Sequence, residues 1–334
     1  MKIVNLSELD PAWNWLAPRF ADRPHLNWTH VSAQMQPAWG WLPRRRTFER
    51  ACAAWKVREQ LPPADSILVS HGPRMAMYGA AANRARSKRS PHLAYSFNFT
   101  NLPTGLQRTA MSVAFKSVDR FVVFSNMERS LYADWFRLDI DRIDMIPWAV
   151  RLPEMDPSNP PLIDGDYICA IGSQARDYRV LIEAMRVVPH IRLVIVATAE
   201  SMQGLSAPPN VEVRLNIPLA QVQNILAFSR FMVLPLVGSQ VPCGHVTLVS
   251  AMHFAKAIVA TRSEGIADYV MSDVNGRYTT ANDADDMART ISDLYGDTEE
   301  CRRLGEASAA FARIHCVEQN VVDYFSTLTA RWAE

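Results

Sequence analysis

An α/β chain made of two doubly wound parallel sheets follows from three features of the sequence. Short apolar runs of strand type alternate with longer amphipathic stretches of helical period. That alternation stops at a Pro-rich segment near the middle and then starts afresh. A length of 334 residues exceeds one ordinary core and suits two domains of roughly 150 residues each. With 49% hydrophobic and 21% charged residues, the chain can bury enough apolar surface to fold, which excludes a disordered class.

The first predicted strand is Lys2 to Leu6. A stretch rich in Trp and Pro follows to about residue 43 and resists assignment. Trp13, Trp15, Trp28, Trp39, Trp41 and Trp55 place six of the nine tryptophans in the first 55 residues. They predict either irregular loops packed onto the core or an aromatic surface for an acceptor or a lipid headgroup layer. Arg44, Arg45 and Arg46 open a helix that runs to about Glu59, before a strand over Ser66 to Ser70 and a helix over Pro73 to Ala85. A basic cluster of Arg84, Arg86, Lys88 and Arg89 precedes the strand Pro91 to Ser96. Helix Leu106 to Ser117, strand Arg120 to Ser125, helix Met127 to Phe136 and strand Ile143 to Ile146 complete the first sheet.

Pro147, Pro153, Pro157, Pro160 and Pro161 mark an interdomain linker. Beyond it come strand Asp166 to Ile171, helix Arg179 to Val188 and strands Arg192 to Ala197 and Val211 to Arg214. Helix Leu219 to Phe228, strand Phe231 to Leu234, helix Val246 to Phe254 and strand Ala257 to Thr261 finish the second sheet. Helices Ala284 to Tyr295 and Glu299 to Ile314 and an amphipathic segment from about Cys316 to Trp332 close the chain. The expected domains are 1–155, 156–312 and a C-terminal helix, 313–334, that packs back on the first domain.

Charge divides unevenly. Residues 1–150 hold 20 Lys and Arg against 12 Asp and Glu, a surplus of 8, whereas the remainder holds 15 against 22, a deficit of 7. A basic front half points to an anionic partner, either a membrane surface or a phosphorylated ligand. Nucleic acid is the weaker alternative, because the basic residues fall in separate short clusters with no recognition-helix, RNP or zinc pattern. Five scattered cysteines with no Cys-x-x-Cys pair fit neither a disulfide framework nor a zinc site. No apolar run reaches the roughly 20 residues of a bilayer span, and the N-terminus lacks a secretory leader pattern. A cytoplasmic protein, peripheral at the inner membrane through its basic domain, is expected.

In open parallel sheets, ligands bind at the carboxyl ends of strands, where helix N-termini present free N–H groups to anions. Three turns stand out. Gly172, Ser173 and Arg176 follow an apolar strand and offer close backbone approach, a hydroxyl and a guanidinium fork suited to phosphate. Gly238, Ser239, Gln240, Gly244, His245 and Thr247 lie in the next such turn. Thr261 to Val270 forms the third, with Asp268 and Tyr269 as weaker candidates for sugar contact. None is a Walker loop or a Gly-x-Gly-x-x-Gly fingerprint, which argues against triphosphate hydrolysis and nicotinamide binding.

The run Gly-Ser-x-x-Arg-Asp-Tyr, Pro-Pro-Asn-Val, Phe-Met-Val-Leu-Pro-Leu, Gly-His-Val-Thr-Leu-Val-Ser-Ala-Met, Lys-Ala-Ile-Val-Ala-Thr and Gly-Ile-Ala-Asp-Tyr-Val resembles the donor half of GT-B glycosyltransferases, particularly family four. The resemblance covers about Asp166 to Tyr295, and more weakly Phe121 to Val150. It implies two Rossmann-like domains facing across a cleft and transfer of a sugar from a nucleotide-diphosphate sugar, with retention and without a metal or other cofactor. The acceptor it implies is a glycan, a lipid-linked saccharide or a small molecule, taken by the N-terminal domain. Gly172, Ser173 and Arg176 would then meet the diphosphate, the Gly238 to Thr247 loop the sugar and phosphate, Asn216 the base and Ser250 the ribose.

Departures from the family pattern matter too. The usual pair of glutamates is replaced at Ser250 and near Pro242, and one cation of the usual pair is Ser173, with Lys256 or Arg262 as substitutes. Where relatives carry a catalytic-site histidine this chain has Phe97, Asn98 and Phe99, so Asn98 and the nearby His71 become the catalytic candidates beside Arg176. These losses keep two other readings open, an inactive sugar-nucleotide binding protein and a GT-B epimerase.

Overall fold

The computed structural model describes residues 1–34, 45–62, 65–150, 160–240 and 242–333. Trp39, Trp41, Arg44, Pro153 and Pro157 lie outside the described residues. The chain divides into two compact units: Met1–Ile146 together with Val321–Glu334, and Pro147–Asn320.

The first unit carries strands β1 (Lys2–Ser7), β2 (Asn27–Ser32), β3 (Ser66–His71), β4 (His92–Tyr95), β5 (Arg120–Val123) and β6 (Ile143–Met145). They form one six-stranded sheet in the order β2-β1-β3-β4-β5-β6, parallel at every pairing. A short 3₁₀ turn, Ala17–Phe20, lies between β1 and β2, and helices α1 (Arg45–Gln60), α2 (Pro73–Arg84), α3 (Gly105–Phe115) and α4 (Asn126–Phe136) make the later crossovers. Strands such as Ser66-Ile67-Leu68-Val69-Ser70 are buried throughout, as a parallel sheet covered on both faces requires.

The second unit repeats the design with β7 (Ile168–Ile171), β8 (Leu193–Ala197), β9 (Val211–Leu215), β10 (Phe231–Leu234), β11 (Ala257–Thr261) and β12 (Gly276–Thr279). Their order is β12-β11-β10-β7-β8-β9, again all parallel. Its helices are α5 (Tyr178–Val187), α6 (Leu219–Phe228), α7 (His245–His253), α8 (Ala284–Gly296) and α9 (Thr298–His315). The last helix, α10 (Glu318–Ala333), places Phe325 among the aromatic rings of the first unit.

Local chemistry sets the helix starts. The side chains of Asp177, Asp283 and Asp297 each accept an N–H of the first turn of α5, α8 and α9. At α4, Ser125 accepts the Glu128 N–H, while the Glu128 carboxylate accepts the Phe124 N–H at 3.0 Å and the Ser125 hydroxyl at 3.1 Å. This is a capping box closed inside the protein. Burial pushes the Glu128 carboxyl up to about 7, against the hydrogen bonds that favour its charged form.

Two strands escape sequence reading, β2 and β12, and both are edge strands. Asn27-Trp28-Thr29-His30-Val31-Ser32 is only partly buried, and β12 starts on a glycine that reads as a turn. Of the described tryptophans in the first 55 residues, Trp13, Trp15 and Trp28 are half-buried, whereas Trp55 on α1 is exposed. Trp15 lies 4.8 Å from Tyr95, 5.5 Å from Phe325 and 6.0 Å from Trp28, ring centre to ring centre.

Candidate functional site

In the second unit, β8 and β9 extend the sheet on one side of β7, and β10 to β12 extend it on the other. The crossovers leaving β7 and β10 therefore go to opposite faces and leave a crevice above the carboxyl ends of these two strands. Both glycine-bearing turns open there. The Asp177 N–H donates to the Pro235 carbonyl at 2.9 Å and the Val237 N–H to the Ala175 carbonyl at 3.1 Å, which sews the two turns together.

Arg176 lies at their meeting point. Its guanidinium donates to the carbonyls of Ile171 (3.3 Å) and Gln174 (2.8 Å) and to the Thr247 hydroxyl (3.0 Å). Gly172, at φ +112°, passes so close that an added Cβ would stand 2.7 Å from Arg176 Nη2; at Gly244, φ +104°, it would stand 3.7 Å from Nη1. The guanidinium thus rests on two left-handed glycines, and Gly244 is also the residue that starts α7. Among the described residues no carboxylate pairs with Arg176. Burial lowers its pKa, yet an arginine keeps its proton in proteins. A charge satisfied only by neutral acceptors, beside the amides that begin α7, is arranged to receive an anion.

The other donor candidates divide. Gly238 takes φ +85°, with Ser239 and Gln240 exposed beside it, and the Ser239 carbonyl accepts the Glu264 N–H at 2.8 Å. Asn216, exposed and left-handed at φ 51°, tops the β9–α6 turn. The remainder hold structure. Ser173 accepts the Thr198 N–H at 2.8 Å, and Ser250 turns its hydroxyl back to the Val246 carbonyl at 2.7 Å. His245 is buried and directs Nε2 to the Gly265 carbonyl at 2.8 Å; burial pushes its pKa down to about 4, so the ring is neutral.

Tyr269 is fully buried and its hydroxyl accepts the Trp148 N–H, which corrects its candidacy for sugar contact. Lys256 precedes β11 at the opposite end of the strands and donates to the Ser229 carbonyl at 2.7 Å, so it does not stand in for the missing cation.

In the first unit the strand order reverses between β1 and β3, and a cavity of about 460 Å³ opens at their carboxyl ends. His71 and Asn98, both singled out from sequence, line it together. The sequence reading missed Glu8, Arg74, Asn101 and Gln107, which share the lining. Glu8 is ion-paired to the buried Arg50. Arg74 is exposed in the first turn of α2.

His71 is fixed from behind. Its Nε2 meets Asn5 Oδ1 at 2.7 Å, and Asn5 Nδ2 meets His30 Nδ1 at 3.1 Å. The amide orientation makes Nε2 the protonated nitrogen of His71 and leaves Nδ1 as an acceptor. Trp13 and Trp15 stand edge-on to the ring at 4.7 Å and 4.6 Å. Burial, with the His30 ring, pushes the His71 pKa down to about 3. Such an imidazole is a poor base; it can orient a hydroxyl rather than deprotonate it.

These pKa values fix a pH dependence. His71 and His92, both near 3, and His245, near 4, are neutral when folded, whereas unfolded histidines take up a proton below about 6.5. The unfolded state then binds more protons, so stability falls as pH drops through 6.5. By pH 5 each histidine contributes a loss of up to about 2 kcal/mol. Glu128 acts oppositely, holding its proton when folded up to about 7, so its contribution is lost as pH rises from about 4.5 towards 7. Three groups outweigh one, and melting is expected at lower temperature at pH 5 than at pH 7. Glu128→Gln removes the opposing group and is expected to deepen that fall, as calorimetry at the two pH values checks.

Among the described residues no cluster of His, Cys, Asp or Glu could hold a metal ion, and no helix is long and apolar enough to cross a membrane. Residues 165–297 match the family model described as "Glycosyl transferases group 1". No curated protein sequence matches the chain. Solved structures align over nearly its whole length. The sucrose-phosphate synthase of Thermosynechococcus elongatus has a TM-score of 0.77 at 14% identity, covering 99% of each chain. HepE of Anabaena, solved with UDP, scores 0.70 at 16% identity, covering 98% of this chain and 100% of that one. A UDP-forming α,α-trehalose-phosphate synthase of Burkholderia vietnamiensis scores 0.71 at 11%, covering both chains fully. At such identities the likeness establishes the fold, which is that of the GT-B glycosyltransferases.

Proposed function

We propose that this chain is a glycosyltransferase that moves a sugar from a nucleotide-diphosphate sugar to an acceptor hydroxyl, with retention and without a metal. The observation that carries the reading is Arg176, charged, half-buried and without a carboxylate partner among the described residues, bedded on Gly172 and Gly244 at the start of α7. Departure of a nucleoside diphosphate develops negative charge on the β-phosphate. A fixed guanidinium and a helix N-terminus oppose that charge without reorganising. Thr247 holds Arg176 in place through its hydroxyl, and the Gly238–Gln240 segment borders the place where the sugar would lie. Asn216, exposed in the β9–α6 turn, would meet the base. Solved relatives of this fold were crystallised with UDP and UDP-glucose, which makes the uridine donors the first to try.

On the acceptor side, His71, Asn98, Asn101 and Gln107 offer neutral hydrogen-bonding groups beside the charged Glu8 and Arg74, a lining that suits a polyhydroxylated acceptor. The neutral His71 would orient the attacking hydroxyl, whose proton then leaves with the departing phosphate rather than on the imidazole. The Ser250 hydroxyl, turned onto its own helix where relatives carry a carboxylate, favours a second reading: a nucleotide-sugar binder without turnover. A panel of nucleotide sugars decides between them. Transfer predicts thermal stabilisation by one donor and release of its nucleoside diphosphate when an acceptor is added; stabilisation without any release supports the binder.

A further inference from the structure

The geometry points to the outer face of α2 and α3 as a docking surface for an anionic lipid bilayer. Residues 66–118 contain no Asp or Glu and seven Lys or Arg, and this segment builds both helices. On α3, Leu106, Ala110 and Val113 recur at helical spacing and point outward; Leu106 is 90% exposed and Val113 51% exposed. Two hollows adjoin along this stripe, sharing Thr109 and Val113. One, of about 500 Å³, lies between α2 and α3 and is walled by Met77, Tyr78, Ala81 and Ala110 with Arg84 at its edge. The other, of about 530 Å³, is edged by Arg108, Lys116 and Arg137. No carboxylate lines either hollow.

The four cations differ in freedom. Arg108 lies over the Trp135 ring at 4.5 Å and donates to its carbonyl. Arg84, Lys116 and Arg137 are exposed. The basic cluster of Arg84, Arg86, Lys88 and Arg89 splits here. Arg86 turns inward onto the carbonyls of Leu61 and Pro62, and Arg89 is ion-paired with Asp119 at 2.8 Å; both are structural. What remains is an apolar stripe with a one-sign rim. Apolar side chains that enter the acyl boundary and cations that remain at anionic headgroups match that layout. A second copy of the chain would bring the same cations against themselves, so charge complementarity favours lipid.

The inference rests on the transferase reading only in its consequence. The inner side of α3 carries Gln107 and Met111, which line the acceptor cavity. Docking of the outer side would set that cavity at the headgroup level and select an acceptor borne on a lipid.

The test is co-sedimentation of the full chain with vesicles of phosphatidylglycerol in phosphatidylcholine, with phosphatidylcholine alone as the control. Binding is expected to the anionic vesicles at low salt, with loss at about 0.5 M salt, where charges are screened within a few ångström. Leu106→Asp and the pair Arg84→Glu with Lys116→Glu are each expected to weaken it roughly tenfold or more. Affinity for nucleoside diphosphate, measured on the same variants, is expected to be unchanged. Absence of binding at low salt, equal binding to phosphatidylcholine, or binding undiminished by these substitutions overturns the inference. So does a dimer that depends on Leu106 in place of vesicle binding. Loss of diphosphate binding by the unaltered chain counts instead against the transferase reading.

Discussion

Arg176→Ala is expected to lower kcat/KM for sugar transfer by about 10²- to 10³-fold, the loss seen when a fixed donor to a developing anion is removed. Arg176→Lys is expected to recover only part of it. A lysine restores the charge as a single point, whereas the guanidinium reaches Ile171, Gln174 and Thr247 at once and still faces the crevice. Because the side chain also ties the two turns together, the melting temperature of each variant has to be read beside its kinetics. A rate loss at nearly unchanged melting temperature assigns the effect to the diphosphate. Equal losses in folding and rate assign it to the turns.

The largest expected effect on stability lies elsewhere, at Gly305 in the middle of α9. A Cβ added there would stand 2.2 Å from the Ala255 carbonyl oxygen and 3.0 Å from its carbonyl carbon. These are backbone atoms of the α7–β11 turn, where Ala255 itself is left-handed at φ 54°, so no side chain can rotate away. Alanine in place of a mid-helix glycine gains about 1 kcal/mol in propensity. Displacing α9 from β11 costs about 3 kcal/mol or more, and the displacement wins. Gly305→Ala is expected to lower the melting temperature by roughly 4–8 °C. Gly296→Ala, at the end of α8 with nothing within 4 Å of the new methyl, is the control and is expected to leave it unchanged or slightly raised.

Much of this molecule is legible in its sequence where one physical signal dominates. Buried strands such as Leu193–Ala197, and Ala257–Ala260 of β11, are unbroken apolar runs, as a parallel sheet covered on both faces favours. Arg176 stands out in the sequence because a glycine, a guanidinium and a helix start all fall within seven residues after a strand. The edge strands were not. His30 and Thr29 in β2 alternate with apolar neighbours in a stretch full of Trp and Pro, and β12 is four residues beginning with Gly276.

Side-chain direction was the other blind spot. Sequence position suggests phosphate or sugar for Ser173, His245 and Ser250 alike, but each side chain is bonded to backbone at Thr198, Gly265 and Val246. Only the fold brings His71, at the end of β3, and Arg74, in the first turn of α2, to one cavity with Glu8, which follows β1, and Asn98, which follows β4. The stretch without a single carboxylate from residue 66 to 118 was the available signal for the basic face, and it lies in the absence of a residue type rather than in a motif.

Calorimetric titration of nucleoside diphosphate and nucleoside monophosphate into the unaltered chain and into Arg176→Ala bears on the diphosphate assignment without an acceptor or turnover. The expected result is a diphosphate preference in the unaltered chain, from a β-phosphate held by Arg176 and the first turn of α7, that largely disappears in the variant while monophosphate affinity stays the same. A variant that keeps the full preference contradicts the assignment.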